Sequence, residues 1–370
     1  MPASSPARHE GSRAGRRRWE LRFGSIRGIP IRIHVTLLLF FVWISVTYWI
    51  AGLGPRGTIT GVLLLALVFV TIVLHELTHA LVAHRFGVRT RDILLLPIGG
   101  IASLERIPER PLQELAIALA GPAFNLGVAL LLWAGLGIAG SDLALSTASR
   151  GEAFALQLMW INVALAVFNL IPAFPLDGGR ALRALLSRAM GRERATAIAA
   201  GIGQGVAVLL GLVGLTYNPW LVLIAVFLWF AARSELAMVR LRAALAGVPA
   251  SAAMLGRVDV VRADESLAIA AGLLVHHGGA AIPVVLNGAT VAALTREDIA
   301  AGIDVAGPEA PVAAAPHHQV VTIAPTEPLD RVLDRLGSDA AIAVVVDHDV
   351  PIGLVTAEQL ASYVALHPRA

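Results

Sequence analysis

The chain has 370 residues, of which 56% are hydrophobic and only 15% are charged, and its mean hydropathy is +0.73. Soluble globular proteins carry roughly 25% charged residues, so this composition argues against a wholly soluble chain. A formal net charge of +3 is small for this length and disfavours both disorder and nucleic-acid binding. Cysteine is absent, so disulfides, thiolate metal sites and cysteine nucleophiles are excluded, and any metal must be bound by His, Asp or Glu.

The composition changes near residue 245. All seven Trp and all eleven Phe occur at or before Phe230, and beyond Ala246 the only aromatic residue is Tyr363. The first part contains long runs without Asp, Glu, Lys or Arg, and a bilayer-crossing helix needs roughly 20 apolar residues. We therefore predict a polytopic α-helical membrane domain, followed by a soluble α/β domain. The predicted spans are residues 35–53, 60–84, 114–139, 154–172, 197–216 and 219–238.

Arginine is distributed unevenly between the predicted loops. Residues 1–32 contain eight Arg, and the segments 85–110 and 180–194 contain five each, whereas the intervening loops contain one or none. Because short loops rich in positive charge stay in the cytoplasm, both termini are predicted to be cytoplasmic. Residues 1–32 are then an Arg-rich cytoplasmic tail, and the protein is expected to cross a bacterial plasma membrane several times.

The second predicted span contains the sequence His75-Glu76-Leu77-Thr78-His79. Two histidines four residues apart lie one turn apart on the same helix face, so both imidazoles can bind a single zinc ion. Glu76 is then placed to act on a water molecule at that zinc. Ionisable side chains inside a membrane span are costly and usually functional, which favours a metal site. The alternative is a polar cluster that stabilises helix packing.

A catalytic zinc usually has three protein ligands, so a third ligand is needed. His84 lies about 140° around the helix from His79 and is predicted to be a boundary residue. Asp177 is the better candidate, because Pro172 and Pro175 would break a helix and the two following glycines permit unusual backbone conformations. The second and fourth predicted spans both run from the outside to the cytoplasmic side. The second ends just after His79 and the fourth just before Asp177, so these two residues are expected at a similar depth in the membrane. The alternative is that Asp177 caps a helix at a cytoplasmic turn.

These motifs resemble the site-2 protease family of intramembrane zinc metalloproteases. The similarity rests on His75–His79 and on the sequence Pro175-Leu176-Asp177-Gly178-Gly179, and it extends over about residues 35–235. Residues 94–102 resemble the membrane-inserted sheet segment of that family, and residues 121–125 resemble its third-span motif. The resemblance implies a metalloprotease domain at residues 33–245.

The same resemblance implies the activity and its residues. One Zn²⁺ is bound by His75, His79 and Asp177, Glu76 is the general base, and Asn169 lies near the substrate or the oxyanion, unless its amide simply bonds another helix. The expected reaction is regulated intramembrane proteolysis: hydrolysis of a peptide bond in or near a transmembrane segment of a membrane-anchored protein, such as a regulatory protein. The alternatives are a metal or ion transporter and a catalytically inactive membrane sensor.

The C-terminal part contains an internal repeat, with halves at residues 248–305 and 308–370. Each half is predicted to be a strand, a helix, two strands and a final helix that follows Thr295 or Thr356. The halves resemble a tandem pair of CBS domains, which implies regulation of the protease and an adenine nucleotide contacted by Asp298. The second half has Gln359 at the position of that acid. Nucleotide sensing, a purely structural role and a homodimer formed through the CBS pairs all remain open.

Overall fold

The computed structural model describes residues 19–104, 108, 110–139, 150–256, 258–277, 279–336 and 342–367. The chain divides into two compact units, one of residues 19–239 and the other built on residues 240–370. Residues 1–18 of the predicted tail lie outside the described residues.

The first unit contains a four-stranded sheet. Its strands lie in the order β1 (Glu20–Ile26), β2 (Ile29–His34), β3 (Thr90–Leu96) and β4 (Gly99–Leu104). Strands β1 and β2 form an antiparallel hairpin, β3 runs parallel to β2, and β4 pairs antiparallel with β3. The β3–β4 hairpin is the sheet segment expected from the resemblance.

The β1–β2 hairpin, residues 20–34, overlaps the second half of the stretch predicted as an Arg-rich tail, so this half is folded as a sheet. Arg27 and Gly28, which connect the two strands, both have positive φ, of 50° and 83°. This backbone conformation is that of a tight two-residue hairpin turn. The strand pairing was not predicted, because arginines interrupt the apolar pattern of both strands.

The remainder of the first unit is helical. Its described helices are α1 (Val35–Ile50), α2 (Gly54–Arg85), α3 (Pro111–Ile138), α4 (Arg150–Asn169), α5 (Asp177–Met190), α6 (Arg192–Tyr217) and α7 (Pro219–Leu245). Five of them, α2, α3, α4, α6 and α7, are long and apolar enough to cross a membrane. The chain is therefore a multi-pass α-helical membrane protein, as predicted.

The first predicted span differs from the structure in length. It was expected to cover residues 35–53, but α1 has 16 residues and falls short of the length of a full membrane span. Gly52 and Gly54 both have positive φ, and the chain turns at this point into α2. Among the described residues of the first unit there are thus five long spans and one shorter apolar helix, where six full spans were predicted.

The second unit consists of two repeats of the predicted strand and helix order. The first repeat forms the sheet β6-β7-β8 and the second forms β9, β10 and β11, to which the short strand β5 adds. The elements are β5 (Leu255–Gly256), β6 (Val261–Arg262), α8 (Leu267–His277), β7 (Ala281–Leu286), β8 (Ala289–Thr295), α9 (Arg296–Ala306), β9 (Val320–Ile323), α10 (Leu329–Leu336), β10 (Ile342–Asp347), β11 (Val350–Thr356) and α11 (Ala357–Leu366).

Each repeat has its own hydrophobic core, and a further cluster joins the two sheets. Ala281 and Ala293 of the first repeat pack there against Ile342, Val344 and Leu354 of the second. A unit this small buries too little apolar surface alone, so packing in pairs completes the core. The end of α7 belongs to this second unit: fully buried Leu245 packs in the core of the second repeat.

Candidate metal centre

The two histidines of α2 face the same way and are buried. His75 is 6% exposed and His79 is 4% exposed. Their Nε2 atoms lie 3.1 Å apart, and the two rings meet edge to face. The helical spacing of four residues produces this arrangement, as expected from the sequence.

Asp177 joins the two histidines from another helix. It is the first residue of α5, and its Oδ2 lies 3.2 Å from His75 Nε2 and 3.1 Å from His79 Nε2. One ligand atom from each of the three side chains lies within 4.8 Å of the others, so the group could hold a metal ion. Leu176, not Asp177, occupies the N-cap position of α5, and it makes no side-chain cap hydrogen bond.

The two glycines after Asp177 allow the first turn of α5 to lie against the preceding loop. A β-carbon on Gly178 would collide with the carbonyl oxygens of Leu170 and Ile171. A β-carbon on Gly179 would lie 2.7 Å from the carbonyl carbon of Ala173. The two glycines therefore meet a steric requirement, because a larger side chain at either position would displace the first turn of α5, which carries Asp177.

Helix α3 fixes the orientation of both imidazole rings. His75 Nδ1 donates to Asn125 Oδ1 at 2.7 Å, and His79 Nδ1 donates to the carbonyl oxygen of Ile117 at 2.6 Å. With their Nδ1 protons used in this way, both rings present Nε2 lone pairs toward Asp177. Such hydrogen bonds to the second ring nitrogen are typical of histidines that bind metal. The amide nitrogen Nδ2 of buried Asn125 finds no hydrogen-bond partner among the described residues.

A glycine of α3 leaves the space in front of the two Nε2 atoms open. A β-carbon on Gly121 would collide with His79 Nε2 and would lie 2.6 Å from His75 Cε1. The absence of a side chain at this position therefore keeps both imidazoles accessible to a ligand.

Comparison with known proteins shows to which family this chain is related. A family model for peptidase family M50 matches residues 63–151 and 137–212, and a model for the CBS domain matches residues 312–366. Zinc metalloprotease MJ0392 of Methanocaldococcus jannaschii is 37% identical over 277 residues, which is 74% of this chain and 77% of that protein. The chain belongs to peptidase family M50.

Two further relatives extend this result. The M50 peptidase is 29% identical to Rip3 of Mycobacterium tuberculosis over 384 aligned residues. This alignment covers 93% of this chain and 92% of that protein. A solved site-2 protease from Methanocaldococcus jannaschii is 38% identical, with a TM-score of 0.45, over 59% of this chain and 95% of that chain. The family match and the similarity to MJ0392 confirm the prediction of a zinc metalloprotease, and they do not support the ion transporter.

The family implies a zinc ion, and the residues present fit one. Two imidazoles and one carboxylate are the donor set of many catalytic zinc sites, which leave a fourth position open for water or substrate. The space that a side chain on Gly121 would fill lies beside both imidazole Nε2 atoms. The M50 peptidase thus has both a suitable set of ligands and room for the metal.

Glu76 lies beside this group and against the sheet. A β-carbon on Gly100, in β4, would lie 2.7 Å from Glu76 Cγ and 3.3 Å from Ile72 Cγ2. The backbone of β4 therefore runs directly over the side chain of Glu76. Within the described residues β4 pairs with β3 alone and is an edge strand of the sheet.

Three other polar residues near the ends of the helices, His84, His34 and Asn169, are not part of the group of ligand atoms. His84 is exposed near the end of α2. His34 caps the N-terminus of α1 by accepting a hydrogen bond from the backbone of Thr36. Asn169 is the half-buried last residue of α4, and its role near the substrate stays a prediction. The contributions of Asn125 and Gly121 were missed, although the third-span motif that contains them was noticed.

Proposed function

We propose that His75, His79 and Asp177 bind one catalytic zinc ion and that the protein hydrolyses peptide bonds in or near transmembrane segments of membrane-anchored proteins. The observation that carries this proposal is the convergence of the three ligand atoms within 4.8 Å. The contacts of both Nδ1 atoms with α3 support it, because they leave Nε2 free to bind the metal.

Zinc held by His75, His79 and Asp177 would supply a Lewis acid that polarises a substrate carbonyl and makes water acidic enough to be deprotonated near neutral pH. Glu76 would accept the proton of the attacking water as the new carbon–oxygen bond forms. Its carboxyl group would then donate this proton to the leaving amine nitrogen as the carbon–nitrogen bond breaks. The half-buried position of Glu76 next to His75 in α2 supports this role.

The substrate would bind in an extended conformation along β4. A peptide bond in a helix is shielded by its own hydrogen bonds, so the substrate helix must unwind before hydrolysis. An extended segment can then add to the free edge of a sheet through main-chain hydrogen bonds. The close approach of β4 to Glu76 at Gly100 supports this edge as the binding position, because a strand paired there would lie beside the general base. Asn169 would contact the same segment.

The third ligand can be tested by comparing two variants. Asp177→Ala should weaken zinc binding at least ~100-fold and abolish cleavage, because two imidazoles alone form a poor site. His84→Ala is the matched control: its side chain is exposed near the end of α2, so both zinc content and cleavage should stay at wild-type levels. The measurements are zinc per purified chain and hydrolysis of a transmembrane substrate. Full zinc content in Asp177→Ala, or zinc loss in His84→Ala, would reverse the assignment.

We also propose that the CBS pair regulates the peptidase and contributes no catalytic atom. The packing of Leu245 in the core of the second repeat supports this, because the last residues of spanning helix α7 belong to that core. Arg242, also in α7, forms an ion pair with Asp334 at 2.7 Å. The arginine distribution supports a cytoplasmic position for this pair and for both termini.

The structure supplies a local role for the predicted nucleotide ligand Asp298. Its Oδ2 accepts hydrogen bonds from Thr295 N at 2.8 Å and from Thr295 Oγ1 at 2.6 Å, and His318 Nε2 lies 3.2 Å away. In the second repeat, Gln359 Oε1 accepts from Thr356 N at 3.0 Å. Asp298 and Gln359 are therefore each the third residue of a helix and complete its capping box with the N-cap threonine. This shared role explains how Asp and Gln can occupy equivalent positions.

A matched pair of variants separates nucleotide sensing from capping. Asp298→Ala and Gln359→Ala each remove one capping box, at a cost of ~1 kcal/mol in stability. If Asp298 binds ribose, ATP or AMP should change the cleavage rate of the wild type and of Gln359→Ala but not of Asp298→Ala. The measurement is the cleavage rate of the full-length protein with and without each nucleotide. An unchanged wild-type rate, with no heat of binding in calorimetry, would leave the structural role of the CBS pair.

A further inference from the structure

A buried arginine connects three helices of the first unit. Arg183, in α5, is 1% exposed, and its Nε and Nη2 donate to Glu114 Oε1 of α3 at 2.8 and 2.6 Å. Its Nη1 donates to Glu235 of α7. The guanidinium carbon also lies 5.0 Å from the ring centroid of Phe174, in the loop that precedes α5.

Stability alone is a weak explanation for this cluster. Burying an arginine and a glutamate costs desolvation energy that their attraction only partly offsets, and apolar side chains of similar volume often stabilise a protein as well or better. Such a cluster instead fixes the relative orientation of the helices it joins, because a planar guanidinium can donate to a carboxylate in only a few orientations.

The two helices joined by Arg183 and Glu114 carry different parts of the metal centre. Helix α3 orients the histidines through the carbonyl oxygen of Ile117 and the amide of Asn125, and Glu114 lies in the first turn of the same helix. Helix α5 carries Asp177 as its first residue. The ion pair between Arg183 and Glu114 thus joins the helix that fixes the histidines to the helix that presents the third ligand.

We infer that Arg183 is a positioning residue that sets the distance between the carboxylate of Asp177 and the two imidazoles. This inference rests on the proposed zinc site. Arg183 lies six residues after Asp177, or about 9 Å along the helix axis, and points to a different side of α5. Among the described residues, no side chain caps the N-terminus of α5 at Leu176. The contacts of Arg183 with Glu114 and Phe174 instead hold α5 in position from a point further along the helix.

Arg183→Lys tests this role, because it keeps the positive charge between Glu114 and Glu235 but removes the planar fork. We expect the zinc dissociation constant to rise roughly tenfold, the lower end for residues that support metal ligands. The visible absorption spectrum of the Co²⁺-substituted protein should change, since it reports the ligand geometry directly. The thermal unfolding of the metal-free protein should change little. The matched control is Arg188→Lys, an exposed arginine on the same helix, which should leave all three measurements unchanged.

Two further variants keep the inference testable if Arg183→Lys does not fold. Glu114→Asp retains both charges but shortens one arm of the pair, so it should weaken zinc binding and alter the Co²⁺ spectrum in the same direction. Glu235→Gln leaves the bond between α3 and α5 intact and should bind zinc as the wild type does. Wild-type zinc affinity and spectrum in Glu114→Asp or in folded Arg183→Lys would overturn the positioning role alone, whereas failure of the wild type to bind zinc would overturn the proposed function itself.

Discussion

Glu76→Gln is expected to lower the cleavage rate by roughly 10²–10⁴-fold, the usual contribution of a general acid or base, while zinc content stays at the wild-type level. The amide has nearly the size of the carboxylate, so it fits in the same space against Gly100. The proposed ligands His75, His79 and Asp177 are untouched. The amide cannot accept the proton of the attacking water, so only the chemical step should fail.

The measurement for Glu76→Gln combines elemental analysis of the purified variant with a cleavage assay in detergent or vesicles. Glu193→Gln is the control, because this glutamate is exposed in the first turn of α6 and should have no effect. The same inactive variant, expressed in native membranes, should accumulate uncut substrates and so allow their identification. If Glu76→Gln retained substantial cleavage with zinc bound, Glu76 would not be the general base.

Gly121→Ala is expected to weaken zinc binding by roughly 100-fold or more, the upper end for residues that surround metal ligands, although all three proposed ligands remain. The added methyl group would collide with the Nε2 atoms through which the histidines bind the metal. Neither ring can turn aside easily, because Asn125 and the carbonyl of Ile117 hold their Nδ1 atoms. Alanine has a higher helix propensity than glycine by about 1 kcal/mol, so α3 itself should not be weakened.

The control for this variant is Gly127→Ala, which lies in the same helix. Apart from the backbone of its own helix, no atom of the described residues would lie within 4 Å of a β-carbon at Gly127, so zinc binding should be unchanged and the helix slightly stabilised. Zinc titration of the metal-free proteins and their thermal unfolding would distinguish loss of the site from loss of the fold. Equal zinc affinities for Gly121→Ala and Gly127→Ala would place the metal elsewhere.

Much of the architecture could be predicted because its causes are local. Long uncharged runs specify helices that cross a bilayer, since the bilayer core allows few other structures, and five such helices are present among the described residues. The change in composition near residue 245 coincides with the boundary between the two units, which falls within α7. The repeated order of strands and helices in the second unit also follows from its sequence. The predicted length of α1 was wrong, because the turn at Gly52 and Gly54 ends the helix inside an apolar run.

The sequence by itself determined the pairing of His75 with His79, because the helical period places residues four apart on one face. It also indicated Asp177, through the prolines and glycines around it and through its expected depth. Only the tertiary structure decided what surrounds these residues: Asn125, Gly121 and the carbonyl of Ile117 come from another helix, and Arg183 meets Glu114 across two helices. No local pattern encodes these contacts, because each depends on how helices far apart in the chain pack together.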